Sequence, residues 1–440
     1  VQSYGAGFES YIASNNAWEW DWNSRALDSS HWQDMSGTAH AFALPHYATK
    51  EVFSSLAKSS ATSGYSGFGF PDYVWMWGAR GISGYNPETI KAFRDDLSER
   101  DSGLLCDDGV WYFHDYYRYY TGSSTLILPS DVGLDSWEEY TPLSQSKNTE
   151  LNNAGTNTDT YWALFDMLCH YEWLKFAQYI SNVSAQNGGI TQIMINPEYY
   201  PDGVDYVFLN KLKSVYMTED EYFGNTDYLD GAYYRSGYLT KGDTKTGGVM
   251  EAGGGGNAGA YYTNEIAYLT AFELGMLKNI DHLEADFMYQ NSGFSAERDG
   301  QIMSYAKGFS DAKTLNFDRN AADFTVVSSR NQSRPWAENA EWRPWSLRLG
   351  YDNNIDFYLA KLGYNFDGIS QEGIDSADSD VIVFSPHKVT QSAWNKLVKK
   401  VKSGKTGIIS ALRLKKAVND KMQNVAFSDI APEYSYSVKD

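Results

Sequence analysis

From residue 161 onward, helical stretches alternate with short apolar runs, and each run closes on polar or acidic residues. This alternation constrains the fold most, because short strands separated by helices assemble as parallel βα units. Tyr161–Ile180 sets Trp162, Phe165, Cys169, Trp173, Phe176 and Ile180 at steps of three and four, one stripe of a helix. After Gly188-Gly189, a buried strand over Ile190–Ile195 runs into Asn196-Pro197-Glu198. A helix over Tyr206–Leu212 then leads to a strand over Ser214–Met217 with the acidic exit Glu219-Asp220-Glu221. Next come a strand over Gly248–Met250, Glu251 with four glycines behind it, a helix from a Thr263 cap to Lys278, and a strand over Leu283–Tyr289. Acidic residues just past strand ends sit where a (βα)8 TIM barrel keeps its chemistry.

The flanks read differently. Residues 1–60 mix Trp18, Trp20, Trp22 and Trp32 with Ser, Asn and Asp, then give a strand-like run from His40 to Tyr47. Gly67–Trp77 reads as a strand end or binding loop, and Asn86-Pro87-Glu88 as a helix opening with cap, first-turn proline and acid for the dipole. Two early barrel strands are hard to find before residue 60, so the barrel is expected to be incomplete at the N-terminus. The opening Val-Gln-Ser-Tyr, without an initiator Met, suggests a processed or trimmed chain. Near the other end, Val381–Phe384 and Thr406–Ser410 are strands around a helix striped by Trp394, Leu397, Val398 and Val401. This is a βαβ unit of a doubly wound sheet. The expected division is a barrel over 1–335 and a smaller α/β domain over 336–440, split in the Arg/Pro/Trp-rich stretch from Arg334 to Trp345.

Composition narrows the partners. Lys plus Arg total 36 against 56 Asp plus Glu, a formal charge of −20, which disfavours a phosphate backbone as ligand. Aromatics at 16% exclude a disordered chain, and the surplus Tyr and Trp are expected to line a surface or groove. Cys106 and Cys169 exclude a disulfide-stapled scaffold and leave both a single bridge and two thiols open. No run of 18 uncharged apolar residues predicts a membrane span, and no constellation at ligand spacing predicts a metal. The acidic, Tyr/Trp/Asn/Gly-rich composition suggests a secreted or cell-surface protein.

Glu198 and Glu251 are the pair that the pattern singles out: each lies one to three residues beyond an apolar strand. Two such carboxylates can flank a glycosidic bond, one protonating the leaving oxygen while the other attacks the anomeric carbon. The bland alternative is two solvated loop acids. Gly254–Gly259 formally fits a dinucleotide loop, but its helix begins only near Thr263 and Tyr261-Tyr262 would crowd a pyrophosphate, so no cofactor is expected. Trp75, Trp77, Tyr199 and Tyr200 are candidates to stack on sugar faces, against core packing as the alternative. Glu221 and His46 are candidates for sugar hydroxyls, as is His114, against a solvated acidic loop and structural histidines.

The segment Gly84–Arg94, the strand ending in Asn196-Pro197-Glu198, and Val249-Met250-Glu251 with its Gly/Asn loop resemble glycoside hydrolase family 42 and its clan A relatives. So does the helix over Glu265–Lys278 leading into Leu283–Tyr289. The tail around Val381–Phe384 and Trp394–Gly404 is similar to the amidotransferase-like trimerisation domain of those β-galactosidases. The resemblance implies a retaining β-galactosidase-like enzyme on a carbohydrate substrate, with Glu198 as acid/base after the fourth strand and Glu251 as nucleophile after the seventh. It also implies Asn196 and Asn257 as substrate contacts and a homo-oligomer, a trimer. The sequence departs from the family in one place: Pro197 separates Asn196 from the acid/base. A non-catalytic glycan-binding or structural protein on a degenerate barrel is the rival reading.

Overall fold

The computed structural model describes residues 6–27, 42–65, 67–70, 83–99, 112–123, 125–195, 215–221, 245–251, 264–276, 280–286, 296–315, 323–328, 362, 364, 366–384, 389–409 and 417–432. Two parallel sheets organise them. The first has five strands in sequential order: β1 (Gly67–Phe70), β2 (Ile190–Ile195), β3 (Val215–Glu221), β4 (Lys245–Glu251) and β5 (Ile280–Asp286). Every neighbouring pair is parallel, so all five carboxyl ends emerge on one side. Residues 6–27 and 42–65 contribute only isolated bridges, Trp18 to Phe42 and Trp20 to Ala26, and no strand. Of the run His40–Tyr47, expected as a strand, the described residues 42–47 form a bridge and a turn leading into a helix, because His46 caps the helix that starts at Tyr47.

That helix, α2 (Tyr47–Thr62), follows α1 (Ala6–Ser14) and packs beside β1. Between β1 and β2 the chain inserts α3 (Pro87–Ser98), α4 (Phe113–Thr121), α5 (Gln145–Asn153) and α6 (Asp159–Gln186). Asn86 caps α3 as its sequence implies, accepting from the Glu88 amide at 2.9 Å with Pro87 in the first turn. A second carboxylate reinforces that end. Glu19, fully buried, accepts from the Asn86 amide at 2.7 Å and from Thr89 Oγ1 at 2.8 Å. Burial pushes its pKa up, while the donors from Trp20, Asn86 and Thr89 oppose that rise. Glu19→Ala strands two buried donors and is expected to lower the unfolding free energy by about 2–3 kcal/mol, read from the denaturant midpoint.

The 28 residues of α6 are buried on nearly every side and not along one stripe only. The sequence shows an apolar stripe because such residues recur on one face; the tertiary structure covers the remaining faces too. Lys175 is the polar centre of that covering. Its Nζ lies 2.6 Å from Asp96 Oδ1 and 3.1 Å from Glu172 Oε1, with both carboxylates almost wholly buried. Around α6 gathers an aromatic core of Phe42, Phe53, Phe93, Phe113, Tyr116, Tyr140, Trp162, Phe165, Tyr171 and Phe176. Burying each such ring contributes about 1.5–3 kcal/mol before entropy. Many of the described Tyr and Trp go into this core, while Trp75, Trp77, Tyr199 and Tyr200, the aromatics expected to line a groove, lie outside the described residues. Cys169 is buried in it, and Cys106 lies outside the described residues.

Helix α7 (Asn264–Met276) precedes β5 and α8 (Ala296–Thr314) follows it, and the two pack on one another. Gly308 makes that approach possible, as a Cβ there would stand 2.2 Å from the Tyr268 carbonyl oxygen.

The second sheet contains β6 (Phe324–Ser328), β7 (Phe366–Ser370), β8 (Val381–Phe384) and β10 (Thr406–Ile409) in the order β10-β8-β6-β7, all parallel. The first strand to be laid down is central and later strands go to both sides, which is the doubly wound arrangement that the tail sequence implies. Because β6 belongs to this sheet, the C-terminal module starts by Phe324, earlier than the division at 335. Helix α9 (Gln391–Lys402) packs Ala393, Trp394 and Leu397 into the module's core with Phe384 and Phe427. Two short strands, β9 (Val389–Thr390) and β11 (Ala417–Val418), pair in parallel; β12 (Asn424–Val425) forms a hairpin with β11, and α10 (Phe427–Ile430) follows.

Candidate active site at the carboxyl ends of the first sheet

Strand alternation and register decide which residues share a face. In β4 and β5, Glu251 is paired with Asp286 and Val249 with Glu284. In β3 and β4, Asp220 is paired with Val249 and Glu221 with Met250, and in β2 and β3, Met194 with Thr218 and Ile195 with Glu219. Registered partners in a parallel sheet lie on one face and successive residues alternate. One face therefore carries Gln192, Met194, Tyr216, Thr218, Asp220, Val249, Glu251, His282, Glu284 and Asp286. The other carries Ile193, Ile195, Met217, Met250, Leu283 and Ala285, together with Glu219 and Glu221.

The two faces meet different surroundings. Thr191, in phase with Ile193 and Ile195, is fully buried where α6 packs beside β2. Ile190, on the alternate face, is 38% exposed. At β2 the face of Thr191 is therefore the one that α6 covers, and by register Asp220, Glu251 and Asp286 fall on the alternate face of the sheet. A carboxylate-rich face at strand carboxyl ends is where a barrel collects groups for proton transfer and nucleophilic attack.

Glu251, expected just beyond a strand over Gly248–Met250, is instead the last residue of the longer strand Lys245–Glu251. Glu221 is not brought to it: the register sets Glu221 on the opposite face. From the Glu219-Asp220-Glu221 trio, only Asp220 shares the face of Glu251. His46 is a buried helix cap whose Nδ1 accepts from the Ala48 amide at 3.1 Å, and burial pushes its pKa down. His114 is likewise buried, with Nε2 3.1 Å from the Leu97 carbonyl oxygen. Glu198, Asn196, Tyr199, Tyr200, Asn257, Trp75 and Trp77 lie outside the described residues, as does the expected helix Tyr206–Leu212.

Asp286 is the residue that the sequence reading missed. Its strand was expected over Leu283–Tyr289 but runs over Ile280–Asp286, so an acid taken for mid-strand is a strand end. The period-two alternation of Leu283 and Ala285 with Glu284 and Asp286 is the signal that could have found it. The sheet also corrects a strand count. One strand, β3, separates β2 from β4, whereas places four and seven need two between them. Counting from β2 as the fourth strand, the seventh place falls to β5, which ends on Asp286.

Among the described residues, no group of three or more His, Cys, Asp or Glu could hold a metal ion, and no helix is long and apolar enough to cross a membrane.

Five parallel strands in sequential order, three of them ending on acids at their carboxyl ends, make a fold of the TIM-barrel kind. Comparison with solved structures gives it a closer kin: the fold is like that of family 42 β-galactosidases. The chain is similar to the β-galactosidase of Bacillus circulans sp. alkalophilus, at 14% identity and a TM-score of 0.55, over 94% of this chain and 61% of that one. It is similar to the β-galactosidase of the psychrophilic Marinomonas ef1, at 11% identity and a TM-score of 0.53, over 94% of this chain and 65% of that one. A catalytic mutant of the family 42 β-galactosidase Gan42B from G. stearothermophilus aligns at 11% identity and a TM-score of 0.53, covering 88% of this chain and 57% of that one. The chain thus spans about three-fifths of the length of these enzymes, and at such identities the likeness is one of fold. No protein-family model and no curated protein matches the sequence.

Proposed function

We propose that the chain is a retaining glycoside hydrolase acting on a β-linked galactoside-type oligo- or polysaccharide. Glu251 attacks the anomeric carbon, and Glu198, three residues beyond the end of β2 in sequence, protonates the leaving oxygen and later activates water. The observation that supports this reading is that β4 ends on Glu251, in register with Asp286 at the end of β5. A retaining mechanism needs the two carboxyl groups about 5–5.5 Å apart.

The strand count favours a second assignment of the attacking group, in which Asp286 at the end of β5 takes that role and Glu251 flanks it. One experiment separates these. Aryl β-glycosides are assayed with the unaltered chain and with Glu251→Gln and Asp286→Asn, and the product anomer is followed by NMR. First-formed β-product supports retention. Glycan binding without any product instead supports a non-catalytic protein on the same fold.

The C-terminal module supports an amidotransferase-like reading through its doubly wound sheet. Such chemistry uses a cysteine nucleophile, and both cysteines lie outside that module, at 106 and 169. We read the module as structural, in a secreted enzyme that assembles as a trimer.

A further inference from the structure

The β11–β12 hairpin turns through Asn419-Asp420-Lys421-Met422. The Met422 amide donates to the Asn419 carbonyl at 3.0 Å, the Asn419 amide to the Gln423 carbonyl at 3.1 Å, and Asn419 Oδ1 accepts from the Lys421 and Gln423 amides at 3.0 Å each. This is a turn followed by a left-handed residue, a position that favours Gly or Asn. Met422 occupies it, at φ +60°. A long side chain in the left-handed region carries backbone strain, which persists only where surrounding contacts over-determine it.

Contacts from outside the C-terminal module reach this turn. Met422 packs against the aromatic core of the N-terminal helical layer. Hydrogen bonds flank it on both sides: Thr160 Oγ1 donates to the Lys421 carbonyl at 2.7 Å, and the Asn424 amide donates to Asp159 Oδ2 at 3.0 Å. Lys421 Nζ lies 4.0 Å from Asp131. Close by, Gly122 ends α4 in the left-handed region, where a Cβ would meet Ser392 Oγ of α9 at 2.1 Å. Asp159 and Thr160 open α6, and at the other end of α6 Ser184 Oγ donates to the carbonyl of Ile190, the first residue of β2.

We propose that the β11–β12 hairpin is the docking element that couples the two modules into one cooperative unit, and that Met422 holds its strained conformation for that contact. The hairpin grips the start of the helix whose far end delivers the strand leading to Glu198.

Met422→Gly gives the two readings opposite signs. If Met422 only turns the chain, glycine relieves strain, and calorimetry shows one transition at an unchanged or higher midpoint; that result overturns the proposal. If Met422 docks the modules, the single transition splits into two, and amide protection at the start of α6 falls about tenfold or more. Asp159→Ala combined with Thr160→Ala, which leaves the hairpin's own bonds intact, is expected to give the same split, and one unsplit transition there overturns the proposal. Should a variant fail to accumulate, hydrogen exchange on the unaltered chain decides: a common opening free energy for the Trp162 and Asn419 amides supports coupling, and distinct values overturn it.

Discussion

Glu251→Gln is expected to lower turnover of an activated β-galactoside by on the order of 10³-fold or more while leaving the fold intact. The amide keeps the carboxylate's shape and loses both its charge and its nucleophilicity, so the loss reports chemistry and not packing. KM is expected to change far less than kcat, because the missing interaction is made on the way to the glycosyl-enzyme. Asp286→Asn is the informative companion, since Asp286 is registered beside Glu251 on the neighbouring strand. With Glu251 as the attacking group, Asp286→Asn leaves measurable turnover and shifts the pH profile, because one of two adjoining negative charges is gone. Loss of turnover in Asp286→Asn together with substantial activity in Glu251→Gln moves the attack to β5. Equal activity in all three proteins sinks both assignments.

Lys175→Met is expected to produce the largest loss of stability, about 3–5 kcal/mol at pH 7, measured by chemical denaturation. One ammonium here serves two buried carboxylates, Asp96 and Glu172. Burial and then the neighbouring Glu172 push Asp96 well above the usual carboxyl range, against the pull of Lys175. Burial also acts to raise Glu172, but Lys175 and the bond from Asp96 outweigh it and hold Glu172 low. Within the pair, Asp96 is thus the carboxyl held up and Glu172 the one held down, with Lys175 between them. Removing the cation leaves the remaining charge unpaired in the interior, a penalty that shrinks as falling pH protonates the acids.

The sign for the unaltered chain follows from the same site. Asp96 binds its proton more tightly folded than unfolded, so its contribution is fully present below the unfolded carboxyl pKa. It declines as pH rises towards the raised folded value, by at most about 1.4 kcal/mol per pH unit. Asp96→Asn mimics the protonated acid, is expected to cost under about 1 kcal/mol, and flattens that decline. A steeper decline in Asp96→Asn, or a stable Lys175→Met, contradicts this charge arrangement.

Local signals were legible in the sequence and remote ones were not. The Asn86-Pro87-Glu88 cap and the strand over Ile190–Ile195 stand where the residues imply, because a cap and an apolar run act within a few positions of the chain. The strand expected from Leu283 starts at Ile280 instead: Asp281, His282 and Glu284 hide its beginning from an apolar pattern, while pairing with β4 recruits Ile280, His282 and Glu284 and leaves Asp281 at a bulge. His46 follows a strand-like run, yet its ring caps a helix, a role set by the amides of the next turn.

The sequence by itself determined that this chain builds parallel βα units, places acids at strand ends, and adds a second, doubly wound sheet, since periodicity and helix ends are written over short stretches. Only the tertiary structure decided that Asp220 and not Glu221 shares a face with Glu251, that β5 brings Asp286 beside it, and that aromatics of residues 42–176 gather into one core around α6. Register and burial belong to contacts between segments tens to hundreds of residues apart. A shift of one residue in pairing exchanges every face, and no local pattern encodes that choice.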